Sequence, residues 1–153
     1  MTPQNEKNTL IQDVANKGRG VFAKHDFKQG DLVIVGKRID LIDERTMTSL
    51  QVTPDKHAEL DEPARVTNHS CDPNLGIKSN ELGGYNFYAL QNITQGTELT
   101  WDYNTTEYHS IAVPECHCGS TNCRGKTPGF VAIEDELRTR YGEYIADYLK
   151  GSA

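Results

Sequence analysis

No stretch of this chain approaches the roughly 20 consecutive apolar residues that a membrane-spanning helix needs. The opening residues, Met1-Thr2-Pro3-Gln4-Asn5-Glu6-Lys7-Asn8, lack the apolar core of a secretory signal. A cytosolic or nuclear setting is expected, not a secreted one. The three sequons, at Asn68, Asn92 and Asn104, are then chance matches, since they matter only in a secreted chain. Basic residues are outnumbered, 16 Lys and Arg against 22 Asp and Glu, for a net charge of −6. That argues against nucleic acid as the main partner and suits a basic one. Cysteine is scarce too, with four in 153 residues. In a reducing compartment four cysteines serve more often as metal ligands or free thiols than as disulfides.

What is present is a polar, rather charged composition, 36% apolar and 25% charged, over a length that suits one domain. The most unusual stretch is Arg65-Val66-Thr67-Asn68-His69-Ser70-Cys71-Asp72-Pro73-Asn74. It has no helical or strand period, and Pro73 stops any regular element. Alone it reads as an Asx/Pro surface turn; inside a domain its polar groups would have to be satisfied or used.

Residues 1–9 read as a frayed polar tail. Lys17-Gly18-Arg19-Gly20-Val21-Phe22-Ala23 reads as a tight turn opening a strand, with backbone exposed for close approach by a ligand. Phe22–Gly30 is echoed by Tyr88–Gly96, each copy running aromatic-Ala to Gln-Gly and leading into a β-prone run. Two copies are too few for a solenoid, so the echo predicts two similar strand–turn–strand units in a mainly β fold. Glu44–Gln51 is a candidate short helix, Gly83-Gly84 a turn, and 104–114 a loop. From Ile133, residues Leu137, Tyr141, Tyr144, Ile145, Tyr148 and Leu149 recur at helical spacing, predicting one amphipathic C-terminal helix that ends at Lys150-Gly151.

Cys116-x-Cys118 sets two thiols on one side of an extended segment, and Gly119 lets the chain return so that Cys123 can join them. A closed structural zinc site needs four ligands, and the remaining cysteine is Cys71. The expected site is therefore Cys71, Cys116, Cys118 and Cys123 around one Zn²⁺. Two disulfides, or His69 or His117 in place of one thiol, are the competing arrangements. With four protein ligands the metal has no open position for substrate, so its role is structural.

Three segments, Lys17–Ala23, Ala64–Asn74 and Gly96–Tyr103, resemble in order the signature segments of SET-domain protein lysine methyltransferases. Cys116-x-Cys118-x₄-Cys123 resembles their post-SET zinc motif. The resemblance implies a mainly β, β-clip-like fold of small curved sheets in which the central stretch and the Glu98–Tyr103 strand form a pseudoknot, contrary to the usual rule against threaded connections. It divides the chain into a tail (1–13), a SET domain (14–108), a post-SET segment (109–130) and a C-terminal helix (131–153). It also implies methyl transfer from S-adenosylmethionine to the side-chain amine of a protein lysine that enters from the opposite face.

By position, Lys17, Gly18, Arg19, Gly20, Arg65, Asn68, His69 and Tyr103 are the implied cofactor-binding residues. Arg65 and Glu98 give support, Tyr103 is the catalytic tyrosine, and Trp101 and Tyr103 wall the lysine channel. The implied substrate is a protein, such as a histone tail or a ribosomal protein, with no direct nucleic-acid or membrane partner. Trp101 stands where the family usually has Phe or Tyr; its bulk implies mono- or dimethylation. The segment 36–63 matches the family's substrate-gripping insert poorly, and no pre-SET cysteine cluster is present. A short chain of this kind suggests a bacterial or viral member, hence cytoplasmic, or nuclear if eukaryotic. The alternatives are a catalytically silent SET-like module that holds a peptide or partner, and, outside the family, a zinc-stabilised scaffold or a thiol enzyme using His69 and Cys71.

Overall fold

In a computed structural model, residues 2–15, 18–110, 113 and 115–151 are described. Among the described residues ten strands are connected by turns and short 3-10 segments, with α-helices near the two ends. A short helix α1 (Pro3–Asn8) leads into β1 (Thr9–Val14) and β2 (Gly18–Ala23). Then come β3 (Leu32–Gly36), β4 (Arg38–Ile42), β5 (Leu50–Thr53) and β6 (Lys56–Leu60). The remaining strands are β7 (Asn68–His69), β8 (Leu75–Ser79), β9 (Tyr85–Ala89) and β10 (Glu98–Trp101). The larger sheet runs β1-β2-β10-β8-β9-β3, with β7 attached to β10; the smaller runs β4-β6-β5. Val21, Val33, Ile34, Leu75, Ile77, Phe87 and Leu99 of the larger sheet are fully buried. Buried side chains alternate along β8 and β9, at Leu75 and Ile77 and at Tyr85, Phe87 and Ala89, while Val33 and Ile34 are buried side by side on β3 where its register shifts.

The echoed segments meet face to face. Phe27 and Ile93 exchange both backbone hydrogen bonds at 2.8 Å. The amide of Gly30 donates to the Ala89 carbonyl and that of Gly96 to the Ala23 carbonyl, both at 2.8 Å. The Gln29 amide donates to Asn92 Oδ1 and the Gln95 amide to Asp26 Oδ1. Each bond in one copy has its counterpart in the other, so the repeat is a local two-fold. Gly30 and Gly96 both turn at positive φ, 93° and 88°, where a side chain is disfavoured.

Four expectations are corrected. The N-terminal tail is not frayed: Asn5 exchanges hydrogen bonds with both backbone groups of Val35, and Asn8 donates to the Val33 carbonyl. The two amides cap the outer edge of β3, work that apolar periodicity does not reveal. Glu44–Gln51 forms no helix; Thr46 and Thr48 hydroxyls turn instead to Glu59, and Leu50 opens a strand. The loop expected over 104–114 opens instead with a 3-10 turn (Tyr103–Thr105), and Asn104 through Glu107 are all buried. The C-terminal helix is two, α2 (Glu134–Tyr141) and α3 (Asp147–Lys150), parted at Gly142, whose φ of 56° ends the first. Leu137, Tyr141, Ile145 and Leu149 nevertheless all bury themselves in the core.

Candidate functional site

The site is built around β10. This strand pairs antiparallel with β2 on one side, and parallel with both β7 and β8 on the other. His69 and Leu75 are both in register with Trp101, so the irregular stretch between them bends round the strand. Its polar groups are the fastening. Asn74 Oδ1 accepts from the Thr100 amide and its Nδ2 donates to the Glu98 carbonyl, both at 2.9 Å. The Ser70 amide donates to the Trp101 carbonyl at 3.1 Å. Asn68 Nδ2 reaches the Arg19 carbonyl at 2.9 Å and Glu98 Oε2 at 3.0 Å. Side chains thus supply hydrogen bonds that a regular ladder would otherwise provide.

Gly20 is needed for this closeness. A Cβ there would stand 2.6 Å from Val14 Cγ2 and 2.9 Å from Glu98 Oε2. Gly18 has a different reason: its φ is 74° and the space before it is open.

At the end of β10, Tyr103 donates its phenol to the Thr67 carbonyl at 2.9 Å, and its amide donates to His69 Nδ1 at 3.1 Å. His69 is therefore an acceptor at Nδ1. The Trp101 indole donates to the same Thr67 carbonyl at 3.2 Å. Its ring lies edge-on to Phe87 and 4.6 Å between centroids from Tyr103. Burial pushes the Tyr103 phenol well above its ordinary pKa, so it stays a neutral hydroxyl.

Two cavities meet at Tyr103. One, of about 540 Å³, is bordered by Arg19, Asn68, His69, Arg65 and the Glu115–Cys118 segment. That is room for a cofactor-sized ligand. The other holds only about 30 Å³ and runs between Leu50, Ala64, Thr67, Trp101 and Glu107. Met47, Thr48, Arg65 and Tyr103 border both.

Cys71, Cys116, Cys118 and Cys123 bring their sulfurs within 4.8 Å of one another. The Arg124 amide points at Cys71 Sγ (3.3 Å) and the Gly125 amide at Cys123 Sγ (3.4 Å). Amide donors on sulfur favour thiolates, and four thiolates at such spacing fit a tetrahedral Zn²⁺ with Zn–S bonds of about 2.3 Å. His117 is exposed and paired only loosely with Glu115, outside the cluster. The cluster joins the Cys116–Cys123 segment to Cys71 of the central stretch, and Glu115 to Cys118 of that segment border the large cavity.

A family model for the SET domain matches residues 18–104, more than half of the 153-residue chain. The chain belongs to the SET-domain family. Among its relatives, Arabidopsis thaliana histone-lysine N-methyltransferase ASHH2 is 33% identical over 89 residues, 53% of this chain and 5% of that protein. Drosophila virilis histone-lysine N-methyltransferase trithorax is 32% identical over 70% of this chain and 3% of its own length. Aspergillus flavus methyltransferase flvH is 31% identical over 70% of this chain and 61% of its own. This SET-domain chain thus spans a small part of the first two and about three-fifths of the third. The fold is shared with KRYPTONITE in complex with mCHG DNA and SAH, at a TM-score of 0.64 and 23% identity over 78% of this chain and 29% of that one. It is shared less closely with a Plasmodium falciparum putative histone methyltransferase, at 0.53 and 20% over 67% of this chain and 99% of that one.

Of the SET-domain residues expected at the cofactor site, Arg19, Arg65, Asn68, His69 and Tyr103 border the large cavity. Gly18 and Gly20 flank Arg19 on β2. Lys17 lies outside the described residues. Trp101 and Tyr103 wall the small pocket.

Two buried acids escaped the sequence analysis. Asp102, 1% exposed, accepts from Arg124 and from the Tyr141 phenol at 2.9 Å on Oδ2, and from Asn104 on Oδ1. It ties the zinc segment and α2 to the end of β10. Glu107 is buried on the rim of the small pocket. A signal existed for Asp102, which sits between the two aromatic residues of a recognisable motif. For Glu107 there was none, because it falls in a polar stretch without period.

Proposed function

We propose that this SET domain transfers a methyl group from S-adenosylmethionine to the side-chain amine of a lysine in a protein substrate. The observation that carries this reading is that a 540 Å³ cleft and a 30 Å³ pocket share Tyr103 as a bordering residue, with Met47, Thr48 and Arg65 beside it. S-adenosylmethionine would supply the methyl on a sulfonium sulfur. Arg19, Asn68, His69 and Arg65 are the residues proposed to hold it in the cleft. Trp101 and Tyr103 form the wall against which the lysine's methylenes lie, with ring faces that attract cations. Tyr103, neutral because buried, positions the amine by hydrogen bonding and does not act as a base. Most of the rate gain comes from alignment in a dry channel. The zinc cluster is proposed to hold residues 115–118 as one wall of the cleft.

The names of the relatives, histone-lysine N-methyltransferases among them, and the net charge of −6 support a basic protein substrate such as a histone tail or a ribosomal protein. The bulk of Trp101 supports mono- or dimethylation. Titration calorimetry with S-adenosylmethionine, followed by transfer of labelled methyl into fractionated lysate, tests the reading. Wild type binds and labels, while Tyr103→Phe binds but loses at least 100-fold in labelling, in line with the removal of a positioned hydroxyl. Absence of S-adenosylmethionine binding leaves only a silent peptide-holding module.

A further inference from the structure

The small pocket contains one charged group that packing alone does not explain. Glu107 is 6% exposed, yet both of its hydrogen bonds fall on Oε2: the Gln51 amide donates at 2.8 Å and the Thr106 hydroxyl at 2.6 Å. Oε1 has no hydrogen-bond partner among the described residues, and it is not sealed off either. The residue borders the pocket together with Thr67, Trp101 and Tyr103. The surrounding polar groups are already engaged. Tyr85 donates to the Gln51 carbonyl, Tyr148 to the Thr106 carbonyl, Tyr103 to the Thr67 carbonyl, and Arg45 to the His109 carbonyl, while Arg65, which also borders the pocket, faces Glu59 at 3.7 Å. A carboxylate in so dry a place is costly unless something cationic or protonated comes to it.

We propose that Glu107 receives the target lysine in its channel, with Oε1 accepting an N–H of the incoming ammonium and then its proton. The ammonium N–H bond breaks, the Oε1–H bond forms, and the nitrogen lone pair is freed for attack on the methyl carbon. The proton leaves to solvent when the channel empties. Burial raises the Glu107 carboxyl above its ordinary value, with the Gln51 amide, the Thr106 hydroxyl and Arg45 opposing, and burial lowers that of an amine. Both effects ease passage of the proton from the ammonium to the carboxylate. The inference rests on reading the small pocket as the lysine channel.

The test uses n-butylammonium chloride, which is a lysine side chain without its peptide, against butan-1-ol. Trp101 is the sole tryptophan and borders the pocket, so its fluorescence reports occupancy without cofactor or turnover. In wild type at pH 8, butylammonium binds about tenfold more tightly than the alcohol, the worth of one charge-assisted hydrogen bond. The preference disappears in Glu107→Gln, which keeps an acceptor for the Gln51 amide. In wild type alone the preference also fades as the pH falls and the carboxyl protonates, which settles the matter should the variant fold poorly. Equal binding of the two probes to wild type, no saturable binding of either, or a preference that survives both the substitution and acid overturns the proposal. Loss of S-adenosylmethionine binding would defeat the methyltransferase reading without altering this result.

Discussion

The indole N–H of Trp101 and the phenol of Tyr103 converge on one oxygen, the carbonyl of Thr67, at 3.2 and 2.9 Å. Thr67 belongs to the irregular central stretch and both rings to the end of β10, so this oxygen ties together three residues that line the small pocket. The Trp101 ring is further held edge-on by Phe87.

Trp101→Phe should therefore widen the pocket and move the product distribution up by at least one methyl state, read by mass spectrometry of a methylated substrate. The loss of buried area and of the indole hydrogen bond should cost about 2 kcal/mol of stability. An unchanged distribution would separate Trp101 from methyl counting.

Gly20→Ala places a methyl within 3 Å of Val14 and Glu98 and presses on Asn68. Overpacking of this kind costs roughly 1–3 kcal/mol. S-adenosylmethionine affinity should fall with it, because Asn68 loses its seat against the Arg19 carbonyl. Gly18→Ala meets no atom and should strain the backbone alone. Calorimetry on the two variants distinguishes displaced side chains from simple loop strain.

Removing the Asp102 carboxylate leaves Arg124, its side chain 13% exposed, with Glu136 as its one acidic partner among the described residues, and strips Tyr141 and Asn104 of their acceptor. Asp102→Ala should cost about 3–5 kcal/mol in urea unfolding, the usual penalty for breaking a buried charge network. A loss under 1 kcal/mol would mean that solvent reaches the cluster.

Metal analysis should find one zinc per chain. Cys71→Ser or an excess of strong chelator should release it and lower the melting temperature by well over 5 °C, since structural zinc contributes folding free energy directly. Zinc content unchanged in Cys71→Ser would detach the central stretch from the metal.

Glu107 gives the pH dependence an unusual sign. Its folded pKa is raised by burial, so the folded state binds the proton more tightly than the unfolded chain does. Stability from this group is greatest below the ordinary value of 4.5 and declines as pH rises towards the folded pKa. The difference in unfolding free energy between wild type and Glu107→Gln should therefore shift against wild type as pH climbs from 4 to 8. A difference that stays flat would place the carboxylate in water.

The repeat at Phe22–Gly30 and Tyr88–Gly96 is legible in the sequence, down to the glycines that end each copy, because a turn at positive φ demands glycine locally. Its use was not. Nothing in either copy says that Phe27 will pair with Ile93 across 66 positions. The C-terminal helix divides along the same line: its apolar spacing gave the buried residues correctly, and Gly142 decided where the chain broke.

By itself the sequence determined which residue types were available for metal and for catalysis, since short motifs carry their chemistry in spacing and composition. The four thiols and the signature segments were identifiable on those grounds. Only the tertiary structure decided that Asn5 caps a sheet edge, that Asp102 and Glu107 are buried acids, and that Trp101 and Tyr103 share one carbonyl. Those facts depend on polar side chains meeting partners distant in sequence, and a hydrogen bond leaves no period along the chain from which it can be read.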